Sequence, residues 1–461
     1  MSTDAALPSR RERFLLAALS LSPLGVFLLV HWLGYVKHLK LVGVAFAGLG
    51  AATVLFLRPR WGLWLVVFYV YSGVGLFLPL NAATPLTTIV FIAVMLELVR
   101  RGDNRLEDPI FWYANALFLL VALQSMLFAR DPALSFRELG GYGKMLLVTY
   151  LIVQLVRTPD DLRRLAQAVF AGAVATVFLG VAIMMFGIGP GEGNYIGGGL
   201  NIVRFSGAHE NPNRAAAFMC SALPLGLFAV KYCRSRLLRV VYVVSILTLI
   251  VGIFWTFSRS VVIPFTVVLV AVAVRELRSR RSWVMLLAVV AFGILLAPRY
   301  YWERVLGLRE AFESTTIDWS VYTRLLALRT AWEMFLQHPL TGIGLGNFIV
   351  AAAYKVFVRI VVHNSYLEIL VGTGVFGLAA FLAILWSGVR HSLAGARHHW
   401  RNQPEWMRSL AFYLALATIS MFLSAFFGTM PFRYPLWVPI AAGLVIGNLL
   451  RADREAPAGV S

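Results

Sequence analysis

One histidine and two arginines, each beside a long apolar run, are the residues of this sequence best suited to chemistry. His363 stands in "VVHNSYLEIL", just before a mostly apolar stretch long enough to cross a bilayer, for which about 20 residues suffice. A neutral imidazole is available there at ordinary pH and can accept a proton from a hydroxyl nucleophile. The alternative is an interfacial histidine, with Asn364 or Ser365 capping the helix that follows. Arg259 lies in "IFWTFSRSVVIPFTVV", which is apolar on both sides of its Ser-Arg-Ser. An ionisable group so close to hydrocarbon is a functional candidate, against a guanidinium snorkelling to lipid phosphate. Arg204, in "RFSGAHENPN", leads into a helix with Asn213 near its first turn, and taken alone it reads as a solvated loop residue. Lys144, in "GGYGKMLLV", enters an apolar run and is either a third cation or a snorkelling lysine.

Taken together, the three residues suit a diphosphate at a membrane surface. The fork of arginine binds phosphate oxygens with geometric specificity. Two fixed cations would stabilise charge developing on a leaving pyrophosphate while a base deprotonates an incoming hydroxyl. A polyprenyl-pyrophosphate-linked glycan carries such a group at the outer face of a membrane. Other signals are weaker. "GIGLGNF" has glycines, but no strand precedes it and no Lys-Ser/Thr follows, so it reads as a turn rather than a phosphate loop. Asp160 and Asp161 in "TPDDLRR" read as a helix cap. No outer acidic pair or His/Cys cluster has metal-ligand spacing, so a metal-free site without cofactors is expected.

The elements that must position these residues are membrane helices. The chain has 461 residues, 59% hydrophobic and 14% charged, with mean hydropathy +0.77; soluble domains carry about 25% charged residues. The net charge of +19 would suit nucleic acid in a soluble protein. Here the basic residues fall between apolar runs, so topology explains them and no nucleic-acid partner is expected. Cys220 and Cys233 are too few for a disulfide framework or a metal cluster. No cleavage site follows the first apolar run, which reads as an anchor.

Apolar spans are expected near 14–33, 39–57, 61–78, 84–99, 108–129, 140–156, 163–188, 212–232, 238–257, 260–276, 283–297, 365–389, 407–427 and 434–450. They are helical because backbone groups in lipid need internal partners. The count is 14, or 12 if one short pair is a re-entrant hairpin. With both termini cytoplasmic, 25 of the 41 Lys and Arg fall on the inner side, as the positive-inside rule requires. Residues 1–188 then form N-terminal spans, and 189–297 form spans with the arginine-bearing loop and turn. Residues 298–364 form a large, partly helical outer loop, and 365–461 the last spans and tail. Within that loop, "VYTRLLALRTAWEMFLQ" puts Leu325, Leu328, Trp332 and Phe335 on one face, suiting a helix on the membrane surface or roofing a cavity.

The segments "RFSGAHENPNRAAAFM", "TFSRS", "TRLLALRTAWEMFLQHPLTGIGLGNF" and "HNSYLEILVGTGVFGL", in this order, resemble the O-antigen ligase/polymerase superfamily of bacterial envelope glycosyltransferases. The likeness is nearest to lipopolysaccharide O-antigen ligases and covers about Arg204 to Leu378. It implies an all-α, GT-C-like bundle of about a dozen helices in the bacterial inner membrane. It implies glycan transfer from undecaprenyl pyrophosphate to a sugar hydroxyl of lipid A–core at the periplasmic face, without metal or nucleotide. The family's essential histidine falls on His363 and its pyrophosphate-binding arginines on Arg204 and Arg259. Arg324 and Asn213 match further family positions, and His338 falls where other residues are accepted. The motifs serve a polymerase as well, which takes a second lipid-linked glycan as acceptor. A flippase or transporter, the rival from another class, would show repeat symmetry and broken or ionisable spans near the midplane.

Overall fold

In a computed structural model of the protein, the structure describes residues 59–74, 92, 105, 108–186, 204–209, 211–276 and 319–455. Twelve α-helices and no strands occur among them. They are α1 (Pro59–Ser72), α2 (Pro109–Ser125), α3 (Pro132–Leu155), α4 (Pro159–Phe186), α5 (Pro212–Tyr232), α6 (Arg236–Trp255), α7 (Val262–Glu276), α8 (Trp319–Gln337), α9 (Phe348–Val356), α10 (Ser365–Arg397), α11 (Trp406–Ala425) and α12 (Tyr434–Glu455). Among the described residues, seven helices are long and apolar enough to cross a membrane: α2 with its short 3-10 extension, α4, α5, α6, α10, α11 and α12. The chain is an all-α, multi-pass membrane protein. The spans expected near 14–33, 39–57, 84–99 and 283–297 lie outside the described residues, and so does the choice between 12 and 14.

Helix starts follow local chemistry. Asp108, Asp131 and Asn211 each precede a proline and cap α2, α3 and α5 through a side-chain oxygen. Proline suits the first helical position because its missing N–H would have no partner there. At α4, Thr158 Oγ1 accepts from Asp161 N (3.1 Å), while Asp161 Oδ2 accepts from Thr158 N (3.2 Å). This reciprocal box satisfies two end groups, so Asp161 of "TPDD" serves the helix start as expected, while Asp160 pairs with Arg163.

The middle of the bundle is α10, packed on α2, α11 and α12, while α5 packs on α4, α6 and α11. Small residues allow the closest crossing. A Cβ on Gly443 would lie 2.0 Å from Gly388 O, so α10 and α12 touch backbone to backbone.

α10 is not continuous. Gly374 holds φ 71°, ψ −173° and breaks the helix, a conformation that glycine alone adopts without strain. The glycine loop after α8 fills the break. Ile343 N donates to Val371 O (3.0 Å), Gly344 N to Gly372 O (3.1 Å), and Val375 N to Pro339 O (2.9 Å). Helix carbonyls and an N–H that lost their own partners are thereby satisfied. Gly342 (φ 65°) must be glycine, since a Cβ would lie 2.3 Å from Gly372 O. "GIGLGNF" is thus a turn, as its sequence indicates, and a plug as well. A broken span was the mark assigned to a transporter; here the protein's own loop occupies the break. Asn347 ties the plug to α3, donating to Asp131 O (3.0 Å) and Ser135 Oγ (2.8 Å) and accepting from Asp131 N (2.7 Å).

α8 presents Ala327, Thr330, Ala331 and Met334 inward, against Phe348, Ala352, Val362 and Val371. Leu325, Leu328, Trp332 and Leu336 are exposed. The apolar face read from the sequence therefore points away from the protein, Phe335 excepted, which is partly buried. That arrangement suits a helix lying against lipid rather than one roofing a cavity.

Candidate functional site

The connection before α5 is held against α4 and the end of α6. Ala208 N donates to Thr176 Oγ1 (3.1 Å), and Phe205 N to Trp255 O (3.1 Å). Arg204 is anchored twice: Nε donates to Thr256 O (3.0 Å) and Nη2 to Asn213 Oδ1 (3.0 Å). Ser258 Oγ donates to the same Asn213 oxygen (2.8 Å) and lies 2.7 Å from Ser260 Oγ. Because the Ser258 proton is committed to Asn213, Ser260 is the donor between the two hydroxyls. Arg259 opens the 3-10 turn Arg259–Val261 between those serines and is half-buried. The turn is tight. Phe257 holds φ 50°, a left-handed conformation costing a non-glycine residue about 1–2 kcal/mol. Arg204, Asn213 and the "TFSRS" turn therefore form one basic, hydroxyl-lined patch.

His363 stands at the mouth of α10 with φ 53°. Asn364, not the histidine, caps the helix: its Oδ1 accepts from Tyr366 N and Leu367 N, each at 3.0 Å. Ser365 is used elsewhere, donating to Gly428 O (2.6 Å) and accepting from Met430 N (3.0 Å). These bonds join the start of α10 to the α11–α12 connection. Burial pushes the His363 pKa below the usual imidazole value, and the guanidinium groups of Arg324 and Arg214 add to that. The ring is thus held in its neutral form, as a base must be. Arg324, on α8, is half-buried and acts on the histidine electrostatically.

Lys144 is not brought in. It is exposed on α3, and no hydrogen bond or ion pair among the described residues ties it to the arginines or to His363. Cys220 and Cys233 are free thiols. No group of three or more His, Cys, Asp or Glu side chains gathers among the described residues.

Reading the sequence alone missed Arg214, His209, Glu368 and Arg433. Arg214 follows Asn213 in the first turn of α5 and acts electrostatically on His363, Glu368 and His209. Glu368 lies one turn into α10 and also interacts with Arg433 and Glu138. A glutamate in the first turn of an apolar helix is the one signal that could have found this group, and it reads equally well as a helix-dipole partner. The first turn of α5 thus links the two halves of the site, with Asn213 on the Arg204 patch and Arg214 in the field of the histidine.

No curated protein matches the sequence. The stretch from α6 through the "TFSRS" turn, α8 and the plug to the middle of α10, residues 243–382, is similar to the family described as O-antigen ligase.

Proposed function

We propose that this protein is an O-antigen ligase of the bacterial inner membrane, transferring a glycan from undecaprenyl pyrophosphate to a sugar hydroxyl of lipid A–core. The observation that supports the reading is that the first turn of α5 holds Asn213 in the patch with Arg204 and the Arg259 turn, while the next residue, Arg214, acts with Arg324 on His363 electrostatically. His363 takes the proton of the acceptor hydroxyl as that oxygen attacks the anomeric carbon. The bond from that carbon to the pyrophosphate breaks, and its electron pair leaves on the phosphate oxygen, where Arg204 and Arg259 meet the charge. One in-line displacement, with no covalent intermediate, inverts the anomeric configuration. Supplying the purified protein with both lipid-linked substrates tests the reaction; glycosylated lipid A–core is the expected product. Glycan lengthened on the donor lipid, with lipid A–core untouched, would make the protein a polymerase. Transfer should persist in excess chelator, and loss restored by magnesium or manganese would overturn metal independence.

We also place the site on the periplasmic side, with both termini cytoplasmic. The opposite end of the bundle is rich in basic residues, among them Arg234, Arg236, Arg239, Arg275, Arg397, Arg401 and Arg408, and that end belongs inside. Reporter fusions after Arg236 and Arg397 should report cytoplasm. Fusions near Gly197 and Glu313, which lie outside the described residues, should report periplasm. The opposite pattern at either pair would reverse the orientation.

A further inference from the structure

The backbone at His363 is strained, and its neighbours show what holds it. With φ 53°, the histidine has a left-handed conformation. That is uncommon for a residue with a Cβ and persists only where the surroundings over-determine it. On the near side, Ile360 and Val362 are buried in one cluster with Ala327 and Ala331 of α8 and Phe348 of α9. On the far side, Ser365 is fully enclosed; its Oγ donates to Gly428 O (2.6 Å) and accepts from Met430 N (3.0 Å). Tyr366 follows, its hydroxyl donating to Phe422 O (2.9 Å) and its ring packed against Phe426 with centroids 4.4 Å apart. The rest of α10 cannot supply this support. The break at Gly374 cuts residues 365–373 off from the remainder of the helix, so what that short segment is tied to sets its direction. At its inner end the tie is the glycine plug, through Val371 O and Gly372 O. At its outer end the ties are Ser365 and Tyr366, both to the end of α11 and the connection after it.

We propose that Ser365 is a positioning residue for His363: by fastening the first turn of α10 to Gly428 and Met430, it holds the imidazole in the half-buried, left-handed place from which it acts. The inference rests on His363 being the base of the proposed reaction. A base works only within hydrogen-bond reach of the hydroxyl it deprotonates, and a misplacement of about 1 Å can cost about 10²-fold in rate. One hydroxyl both donates and accepts here, so a single small side chain closes both bonds. Ser365 stands two residues from the histidine, nearer than Tyr366. The Asn364 cap cannot replace it, because its bonds to Tyr366 N and Leu367 N stay within α10. Without the Ser365 tie, the Val362 contact fixes the near side of the histidine while the far side is free to relax. The α11–α12 connection, 65 positions away at Met430, thereby becomes a support of the site.

The test uses full-length protein in lipid nanodiscs and compares wild type with Ser365→Ala and Ser365→Cys. A thiol is a weak donor and a weak acceptor, so both variants lose the tie, while cysteine nearly keeps the volume. Diethyl pyrocarbonate acylates the neutral imidazole. The rate of its reaction with the peptide carrying His363, followed by mass spectrometry at a pH where the ring is neutral, therefore reads how far the ring is enclosed without any activity. That rate should rise several-fold in both variants as the ring leaves its half-buried place. The kcat of glycan transfer per folded protein should fall about 10²-fold, while donor binding, which Arg204 and Arg259 supply, stays at the wild-type value. Two variants are used so that one that fails to insert still leaves the comparison. Lower thermal stability with His363 reactivity unchanged is what a purely structural role would give, and it overturns the proposal. So does a kcat per folded protein near that of an active wild type. Absence of transfer by the wild type would count against the ligase reading, and the reactivity of His363 would still decide the role of Ser365.

Discussion

His363→Gln should abolish glycan transfer, with the rate per folded protein falling about 10²–10⁴-fold, the usual worth of a positioned acid or base. Glutamine keeps polarity and approximate size but cannot take a proton, so it should be no better than alanine. The fold should survive either change, because the cap of α10 is Asn364 and the tie to the α11–α12 connection is Ser365. Relief of the strained backbone at residue 363 has no bearing on the comparison, since both replacements meet the same φ. The wild-type pH profile provides a second check. A base works only when unprotonated, and burial together with Arg324 and Arg214 pushes the His363 pKa down. Activity should therefore persist to a lower pH than an ordinary imidazole, with a pKa of about 6.5, would allow, and then fall as the ring takes a proton. Near wild-type transfer by His363→Gln would show that the histidine is not the base.

Arg204→Lys and Arg259→Lys should each lose about 10²–10³ in kcat/KM, as when one electrostatic partner of a transition state is removed. Charge is preserved in both, so the loss would be geometric. Arg204 is oriented by two bonds in the plane of its guanidinium, to Thr256 O and Asn213 Oδ1. An ammonium is a point charge on a flexible stem and cannot satisfy both while presenting a fork to phosphate. Asn213→Ala should cost less, because it removes an orienting acceptor and leaves the cation in place. The double variant Arg204→Lys/Asn213→Ala should fall short of the product of the two single losses, since the shared bond can be lost only once. Donor binding measured separately on each variant distinguishes weaker ground-state capture from a slower chemical step. Transfer by Arg204→Lys within a few-fold of wild type would remove Arg204 from the pyrophosphate site.

Much of this was legible in local sequence because the responsible physics is local. An apolar run of span length must be helical in lipid whatever surrounds it, and α2, α4, α5, α6, α10, α11 and α12 lie where such runs do. Asp-Pro, Asn-Pro and Thr-Pro-Asp-Asp mark helix starts because the capping oxygen and the N–H it serves are only a few residues apart. His363, Arg204 and Arg259 could be named because their types and flanking sequence limit what they can do, whereas Arg324 and Asn213 were named through the resemblance. Tertiary structure decided how they are shared out. Arg204 meets Thr256 across 52 positions, and Asn347 meets Asp131 across 216. No local pattern carries such pairings, because each partner's backbone or side chain would be equally content with water in the unfolded chain. The same holds for Arg214 and Glu368, ordinary charges at two helix starts that come within each other's field only in the folded chain. It holds for Lys144, whose motif suited a third cation but whose helix faces it outward. The break at Gly374 was hidden for a related reason. A glycine inside an apolar run permits a break, but only a loop bringing N–H groups to the orphaned carbonyls makes one stable, and that loop ends 28 residues earlier, at Gly346.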